Sequence, residues 1–451
     1  MELKNKRVLV VGLGKSGIAA AMFLRRQGAR VTVSDARSAI ALAKEIPVLL
    51  EAGIMVESGG HGLLTFRRQD LIVISPGVPL DTPEVKQVIG YGMPVIGELE
   101  FASRFLKGRV IAITGSNGKT TTTTLIGKIL KDAGLPTLVG GNIGTPVIDL
   151  VAESTDETLD VLEVSSFQLE TIEQFHPWIA LVLNITPDHL DRHGSFENYA
   201  AMKTRITERQ VAGDFLVLNA EDKPTQMVAA KTKAQIFWFS ARRPIKQGAF
   251  VHGESIAFIA SEGAKAEPVM PVAEIPLRGS HNVENVLAAV CVARLAGVPA
   301  ETIRASVASF KAVEHRLEFV RVLQGVEYFN DSKATNVDAA MKAIGAFPAG
   351  IHLILGGKDK NSDYTMLWPL LRERVKAVYT IGSAAEKIER ELHGVVKMVG
   401  AGTLDMALNE ARNAAVPGDT VLLAPACSSF DQFENYEHRG RTFRKIVHEM
   451  S

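Results

Sequence analysis

The segment 109–124, RVIAITGSNGKTTTTT, restricts what this chain can fold into more than any other. Val110 to Ile113 is a short β-branched apolar run and predicts a buried strand. Gly115, Ser116, Asn117 and Gly118 predict a turn, and Lys119 opens a helix that continues through Leu125, Ile126 and Ile129. A strand, a glycine turn and a helix that begins on Lys-Thr make a phosphate-binding loop. Glycines let backbone N–H groups converge on phosphate oxygens, and the helix N-terminus adds partial positive charge. Lys119 supplies a full charge for β- and γ-phosphates, and Thr120 a hydroxyl for Mg²⁺. The spacing departs from the usual pattern. Ile113 stands where the first glycine is expected, and the first glycine is Gly115. A glycine turn with an incidental lysine is the competing reading; the strand before it and the helix after it favour an ATP or GTP site.

A unit of this kind implies an α/β chain, and 451 residues give room for about three domains. Lysine plus arginine balances aspartate plus glutamate at 50 each, so no nucleic acid or anionic membrane is expected as a partner. Cys291 and Cys427 form neither a metal spacing nor a disulfide framework, which points to a reducing cytoplasm. No apolar run approaches the ~18 residues of a membrane span. No secretory signal is expected either, because Gly12, Gly14 and Lys15 interrupt the first apolar run.

The first domain is expected over 1–97. Arg7 to Val11 predicts a strand, Gly12-Leu-Gly14-Lys-Ser-Gly17 a turn, and Ile18, Ala21, Met22 and Leu24 the apolar face of a helix that Gly28 closes. Arg30 to Ser34 predicts a second strand ending at Asp35. Glycines at this spacing with an acid about 20 residues on form the dinucleotide fingerprint. Taken alone it says NAD; the rival is a related domain holding another nucleotide's diphosphate. Leu71 to Ile74 ends in Ser75-Pro-Gly77, a second glycine turn at a strand edge of the kind that binds ligands.

The second domain is expected over 98–312. Leu159 to Val164 predicts a strand carrying Glu163, placed to hold Mg²⁺ beside the nucleotide, with Ser165 or Ser166 capping the helix that follows. Ile179 to Ile185 predicts a strand ending in TPDHLDRH. His189 reads as a ligand or orienting group and His193 as structural, because Pro187 starts a helix and the zinc-helix glutamate is missing. Lys203, on the helix from Phe196, reads on its own as a surface lysine. Asn282 and Asn285 share a helix face, and a purine edge, a phosphate or a capping role are all open to them. The third domain is expected over 313–451, with a strand after Glu314–Glu318 and further strands at Val326–Phe329, Ile351–Leu355, Ala377–Ile381 and Thr420–Leu423. Its loops gather Arg316, Asp331, Lys333, Lys360, Ser428 and Ser429 on one edge, which suits an anionic substrate.

Taken together, Thr114–Thr120, Glu163-Val-Ser-Ser-Phe-Gln-Leu, Asn184-x-x-x-Asp-His189, His281-Asn282, Glu314-His-Arg316 and Asn330–Asn336 resemble the Mur ligase family of peptidoglycan precursor synthesis. Cys427-Ser-Ser-Phe-Asp-Gln-Phe433 and Asn330–Asn336 point to its D-glutamate-adding branch. The resemblance implies three α/β domains: a Rossmann-like N-terminal domain, a central P-loop ATPase-like parallel-sheet domain and a C-terminal Rossmann-like domain. It implies an ATP-dependent amide ligase, working as a monomer, that adds D-glutamate to UDP-N-acetylmuramoyl-L-alanine through an acyl phosphate. Lys15, Ser16, Asp35, Arg37, Ser75, Gly77, Asn142 and Ser165 match its UDP-substrate contacts, so the first fingerprint holds UDP and not NAD. Gly115, Asn117, Gly118, Lys119, Thr120, Thr121, Asn282, Arg316 and Asp331 match its ATP contacts. His315, Lys333, Thr335, Lys360, Ser429 and Phe430 match its D-glutamate contacts. Thr120, Glu163, His189 and Lys203, the last as a carbamate, match its Mg²⁺ ligands, and Lys119, Glu163, His189 and Lys203 its catalytic set. Alternatives are an L-alanine-adding or folylpolyglutamate-type ligase, and a nucleotide-dependent regulatory binding protein.

Overall fold

A computed structural model describes residues 1–311 and 313–451. The expected boundary at 312/313 abuts Ala312, which lies outside that description. Three sheets follow one another along the chain. The first has five parallel strands in the spatial order Met55–Ser58, Arg30–Asp35, Arg7–Val11, Leu71–Ile74 and Val95–Gly97. The order reverses beside Arg7–Val11, and the Gly12 turn and the Ser75 turn meet at that reversal. Gly17 is required there, because a Cβ on it would meet the Gly12 carbonyl and the Ser75 hydroxyl. The helix Lys15–Arg26 buries Ala20, Ala21, Phe23 and Leu24, while Ile18 and Met22 pack only partly. The first and last strands, Met55–Ser58 and Val95–Gly97, carry too few apolar residues to stand out in the sequence.

The second sheet has nine strands. Arg109–Thr114 lies third from one edge, between Leu159–Glu163 and Ile179–Val182, and all three are parallel. Pairing of Ile113 with Glu163 sets that carboxylate level with the start of the phosphate loop. The strand Ile179–Val182 stops short of the expected Ile185. The far edge turns antiparallel through Gly248–His252, Ser255–Ile259 and Glu267–Pro271. The third sheet has six strands: Glu318–Leu323, the strand expected after Glu318, pairs antiparallel at one edge, and Lys397–Gly402, which the sequence reading lacked, closes the other in parallel.

Glu98 and Glu100 join the first two domains. They open the helix Glu98–Ser103, and both are buried. Glu100 Oε2 accepts the backbone N–H groups of Glu173, Gln174 and Phe175 (2.8, 3.0 and 3.0 Å), and its Oε1 accepts Arg104 Nε (2.8 Å). Glu98 Oε1 accepts the Ile148 N–H (2.9 Å). Among the described residues, no helix is long and apolar enough to cross a membrane.

Candidate active site

The phosphate loop turns through Gly115 and Gly118 at φ 153° and 87°, and a side chain at Gly118 would collide with Asn285. Ser116 pins the loop: its hydroxyl donates to the Thr186 carbonyl (2.8 Å), accepts the Thr186 N–H (2.9 Å) and lies 2.9 Å from the Tyr199 hydroxyl. The Asn117 backbone bonds both ends of the Asn184 amide (2.9 and 3.0 Å). Lys119 Nζ donates to the Gly115 and Ser116 carbonyls (2.7 and 2.9 Å). Burial lowers the Lys119 pKa, and the Glu163 and Asp188 charges work against that. Thr120 Oγ1 donates to Glu163 Oε2 (2.8 Å), Asn142 Nδ2 donates to Glu163 Oε1 (2.9 Å), and Arg316 of the third domain donates to Thr120 Oγ1 (3.0 Å). Ser165 caps its helix in a full capping box with Gln168.

Lys203 is no surface lysine: it is 1 % exposed. It stands one helical turn beyond the buried Tyr199, on the same face of Phe196–Thr204, so the lysine follows the tyrosine inward. Its Nζ donates to the Gly115 carbonyl (2.9 Å) and sits 4.7 Å from the Tyr199 ring centre. Burial, and then Lys119, push its pKa well below the ordinary lysine value. His189 adopts a left-handed backbone (φ 53°) at the start of a short helix. Burial brings its pKa down to about 4, against the pull of Asp188, so the imidazole is neutral near pH 7. His193 is packed on Phe167, with Nε2 3.0 Å from the Ser166 hydroxyl, as a structural histidine should be.

The third domain closes over this machinery around a cavity of about 390 Å³. On one wall stand Lys119, Thr120, Asn142, Glu163, Ser165, His189 and Lys203; on the other stand Arg316, Lys333, Thr335, Lys360, Ser429 and Phe430. Asp188 spans the gap, accepting Lys360 Nζ (3.1 Å) and Asn336 Nδ2 (2.9 Å). Burial opposes its charge, yet Lys360, His189 and Asn336 outweigh burial and hold its pKa below the usual carboxylate range. Lys333 Nζ lies 3.6 Å from the Tyr436 ring centre, and burial brings its pKa down to about 8. His315 departs from expectation. It does not line the cavity but is buried behind it, with Nδ1 2.9 Å from Asn330 Nδ2. Behind the Ser428–Ser429 loop, the fully buried Arg439 donates to the carbonyls of Ser332 (2.9 Å), Cys427 (3.1 Å) and Ser428 (3.4 Å).

A smaller cavity, about 50 Å³, adjoins the first and shares Asn117, Arg316 and Lys333 with it. Gly118, Thr121, Asn282 and Asp331 line it, with Asn285 and His281. The helix begins at Ser280, so Asn282 and Asn285 lie inside it and do not cap it. Asn282 Nδ2 donates to the Arg278 carbonyl (2.6 Å) and Asn285 Nδ2 to Asn282 Oδ1 (3.0 Å). Burial, eased by Arg316, raises the Asp331 pKa to about 7. Lys15, Ser16, Asp35, Arg37, Ser75 and Gly77 line neither cavity and gather on the edge of the first sheet. Asp35 Oδ2 accepts the Leu13 N–H (2.7 Å) and Arg37 Nη2 (2.9 Å), and Ser75 Oγ donates to the Gly12 carbonyl (2.8 Å). This edge approaches the large cavity at Phe167, which also lines a crevice with Ser75, Pro76 and Val78. Sequence reasoning missed Asp188, Asn336 and Tyr436 as lining residues. Asp188 and Asn336 lay inside quoted motifs, but Tyr436 carried no signal of its own.

Family models match the chain in three consecutive pieces: the Mur ligase MurD-like N-terminal domain over 6–97, the Mur ligase middle domain over 113–293, and the Mur ligase glutamate ligase domain over 315–427. The chain belongs to the Mur ligase family. Two curated relatives are named UDP-N-acetylmuramoylalanine–D-glutamate ligase. The one from Acidobacterium capsulatum is 68% identical over 99% of this chain and 97% of its own length. The one from Koribacter versatilis is 59% identical over 100% and 99%. Solved Mur ligases share the fold. The UDP-N-acetylmuramate-alanine ligase MurC of Thermotoga maritima superposes with a TM-score of 0.62 at 18% identity, covering 98% of this chain and 99% of its own. The MurF ligase of the same organism gives 0.61 at 17%, covering 100% and 97%.

Proposed function

We propose that this Mur ligase joins D-glutamate to the L-alanyl carboxylate of UDP-N-acetylmuramoyl-L-alanine, with ATP cleaved to ADP and phosphate. One observation carries the reading. A single cavity sets the phosphate loop, with Lys119 and Thr120, opposite the third-domain cations Lys333 and Lys360. The names of relatives similar along the whole chain support the same substrates. A carboxylate does not accept an amine at neutral pH. Transfer of the γ-phosphoryl group to a carboxylate oxygen gives an acyl phosphate, the amine of D-glutamate adds to its carbonyl carbon, and phosphate leaves with its electron pair as the amide forms. Lys119 balances negative charge on the transferring group.

Lys15, Ser16, Asp35, Arg37, Ser75 and Gly77 would hold the UDP end, and the contact near Phe167 would lead the sugar and its alanyl arm past Asn142 and Ser165 into the cavity. Gly115, Asn117, Gly118, Thr121, Asn282, Arg316 and Asp331 would hold ATP. Thr335, Ser429 and Phe430 would join the two lysines around D-glutamate; His315, lying behind them, would act by positioning. The donors fit Mg²⁺. Thr120 and Glu163 present oxygens beside the loop, while no cluster of three or more His, Cys, Asp or Glu forms a protein cage among the described residues. Mg²⁺ typically takes one or two carboxylates and completes its shell with phosphate oxygens and water. Bound there, with His189 and a carbamylated Lys203 as further ligands, it would neutralise charge on the β- and γ-phosphates. A lysine ammonium buried beside Lys119 is disfavoured, and a carbamate would remove that repulsion. The same reading sets the domains at 1–97, 98–312 and 313–451 and the enzyme as a cytoplasmic monomer.

The test is phosphate release from ATP with UDP-N-acetylmuramoyl-L-alanine and, in turn, D-glutamate, L-glutamate, L-alanine or no amino acid. Release that depends on D-glutamate is expected. Release with another acceptor would move the chain to a different branch, and release with none would refute ligation.

A further inference from the structure

The third domain touches the phosphate loop through a carboxylate that has no part in the reading above. The helix Val337–Gly345 begins behind Asn336, whose side-chain oxygen accepts the Ala339 N–H (2.8 Å). Asp338 stands in the first turn, where negative charge suits the helix dipole. That placement alone would account for an aspartate facing water. Its side chain instead reaches across the domain boundary. Oδ2 accepts Asn117 Nδ2 (2.5 Å) and Thr186 Oγ1 (3.2 Å) from the second domain, and Lys342 Nζ (2.9 Å) from its own helix. Lys342, four residues on, holds the carboxylate in this orientation.

Both second-domain donors belong to the setting of the phosphate loop. Asn117 is a loop residue, fixed through its backbone by Asn184. Thr186 grips the Ser116 hydroxyl with both its carbonyl and its N–H. One oxygen of the third domain therefore bonds the side chain of Asn117 and, through Thr186, braces the residue before it. Beside it, Asn336 Nδ2 lies 3.4 Å from Asn117 Oδ1 and binds Asp188.

We propose that Asp338 is a positioning residue that couples seating of the third domain to the geometry of the phosphate loop. This rests on the ligase reading above. With the third domain seated, Asn117 and Thr186 share a charged acceptor and the loop is braced for the nucleotide. With it swung away, both donors lose that acceptor. Hydrogen bonds to a charged group are the strong class, and losing even one of them corresponds to a change of about tenfold to a hundredfold.

The experiment uses the full chain with Asp338→Ala, Asp338→Asn, Thr186→Val and the Asp338→Ala/Thr186→Val double variant. Asp338→Ala is expected to lower kcat/KM for ATP by about tenfold or more, with calorimetric affinity for the UDP-sugar substrate unchanged. Asp338→Asn, whose amide oxygen still accepts, should recover part of the loss. The double variant should lose less than the product of the two single losses. A second readout does not need turnover. Dyes on the second and third domains should report compaction of the wild type with a non-hydrolysable ATP analogue, and Asp338→Ala should weaken it. Wild-type kcat/KM for ATP with wild-type compaction in Asp338→Ala would overturn the proposal, and so would multiplicative losses in the double variant. An equal loss of affinity for every substrate, tracking a lower melting temperature, would overturn it as well. If the wild type makes no ligated product, the ligase reading fails, while the compaction series still tests the coupling.

Discussion

Replacing Glu98 with glutamine should make this protein more stable, by a margin that grows as pH rises from about 5 to about 7. Glu98 is 1 % exposed where the first domain joins the second. One of its oxygens accepts the Ile148 N–H, and among the described residues the other has no hydrogen-bond partner. Burial raises its pKa from 4.5 to about 7, helped by the Asp149 charge and opposed by the Ile148 and Val147 N–H groups. The folded form therefore holds the proton more tightly than the unfolded chain. The resulting cost is absent below pH 4.5, grows through the interval up to about 7, and is complete above it. Each pKa unit is worth about 1.4 kcal/mol, so the full cost is about 3 kcal/mol. Glu98→Gln keeps the shape and the acceptor for Ile148 but cannot ionise. Its amide N–H₂ has no partner in turn, which returns about 1 kcal/mol or more. Near pH 8 the variant should gain about 2 kcal/mol; near pH 5 it should gain nothing or lose slightly. Urea unfolding followed by the fluorescence of Trp178 and Trp238, both in the second domain, measures this at the two pH values. The same difference at both would refute the reasoning, because a packing change carries no pH dependence.

Lys119→Ala should reduce ligation by at least about a hundredfold while leaving UDP-sugar affinity intact, as phosphate release and calorimetry would check. Lys203→Ala should lose ligation to a similar extent and regain part of it with millimolar acetate, whose carboxylate can occupy the place of a carbamate; no regain would count against carbamylation. Lys360→Ala should raise the KM for D-glutamate by about tenfold or more, since a charged hydrogen bond is worth about 1.5–3 kcal/mol, with the KM for ATP little changed.

Most of the scaffold was legible because parallel strands of α/β domains announce themselves as apolar runs ending in polar turns. Arg7–Val11, Leu71–Ile74, Arg109–Thr114 and Thr420–Leu423 all did so. The edge strands Met55–Ser58 and Lys397–Gly402 did not, because one face of each stays partly wet and their apolar content is low. The phosphate loop was readable from a local glycine pattern. The burial of Lys203 was not, since its environment comes from a loop 88 residues away. The burial of Glu98 and Glu100 was hidden for the same reason: acids at a helix start suit its dipole, and only tertiary packing brings the N–H groups of Ile148 and of residues 173–175 onto them. Asp188 and Asp338 take their places from the approach of two domains, and Tyr436 from the packing of its helix beside Lys333 within the third, neither of which a local pattern encodes.

The most direct test of an acyl phosphate formed in the cavity between the second and third domains follows one oxygen atom. UDP-N-acetylmuramoyl-L-alanine labelled with oxygen-18 in the alanyl carboxylate is ligated to D-glutamate, and the released phosphate is examined by mass spectrometry. Phosphoryl transfer to the carboxylate leaves one labelled oxygen in the phosphate, and that is the expected result. Phosphate without label, alongside ligated product, would contradict an acyl phosphate and the placing of the γ-phosphoryl group against the alanyl carboxylate.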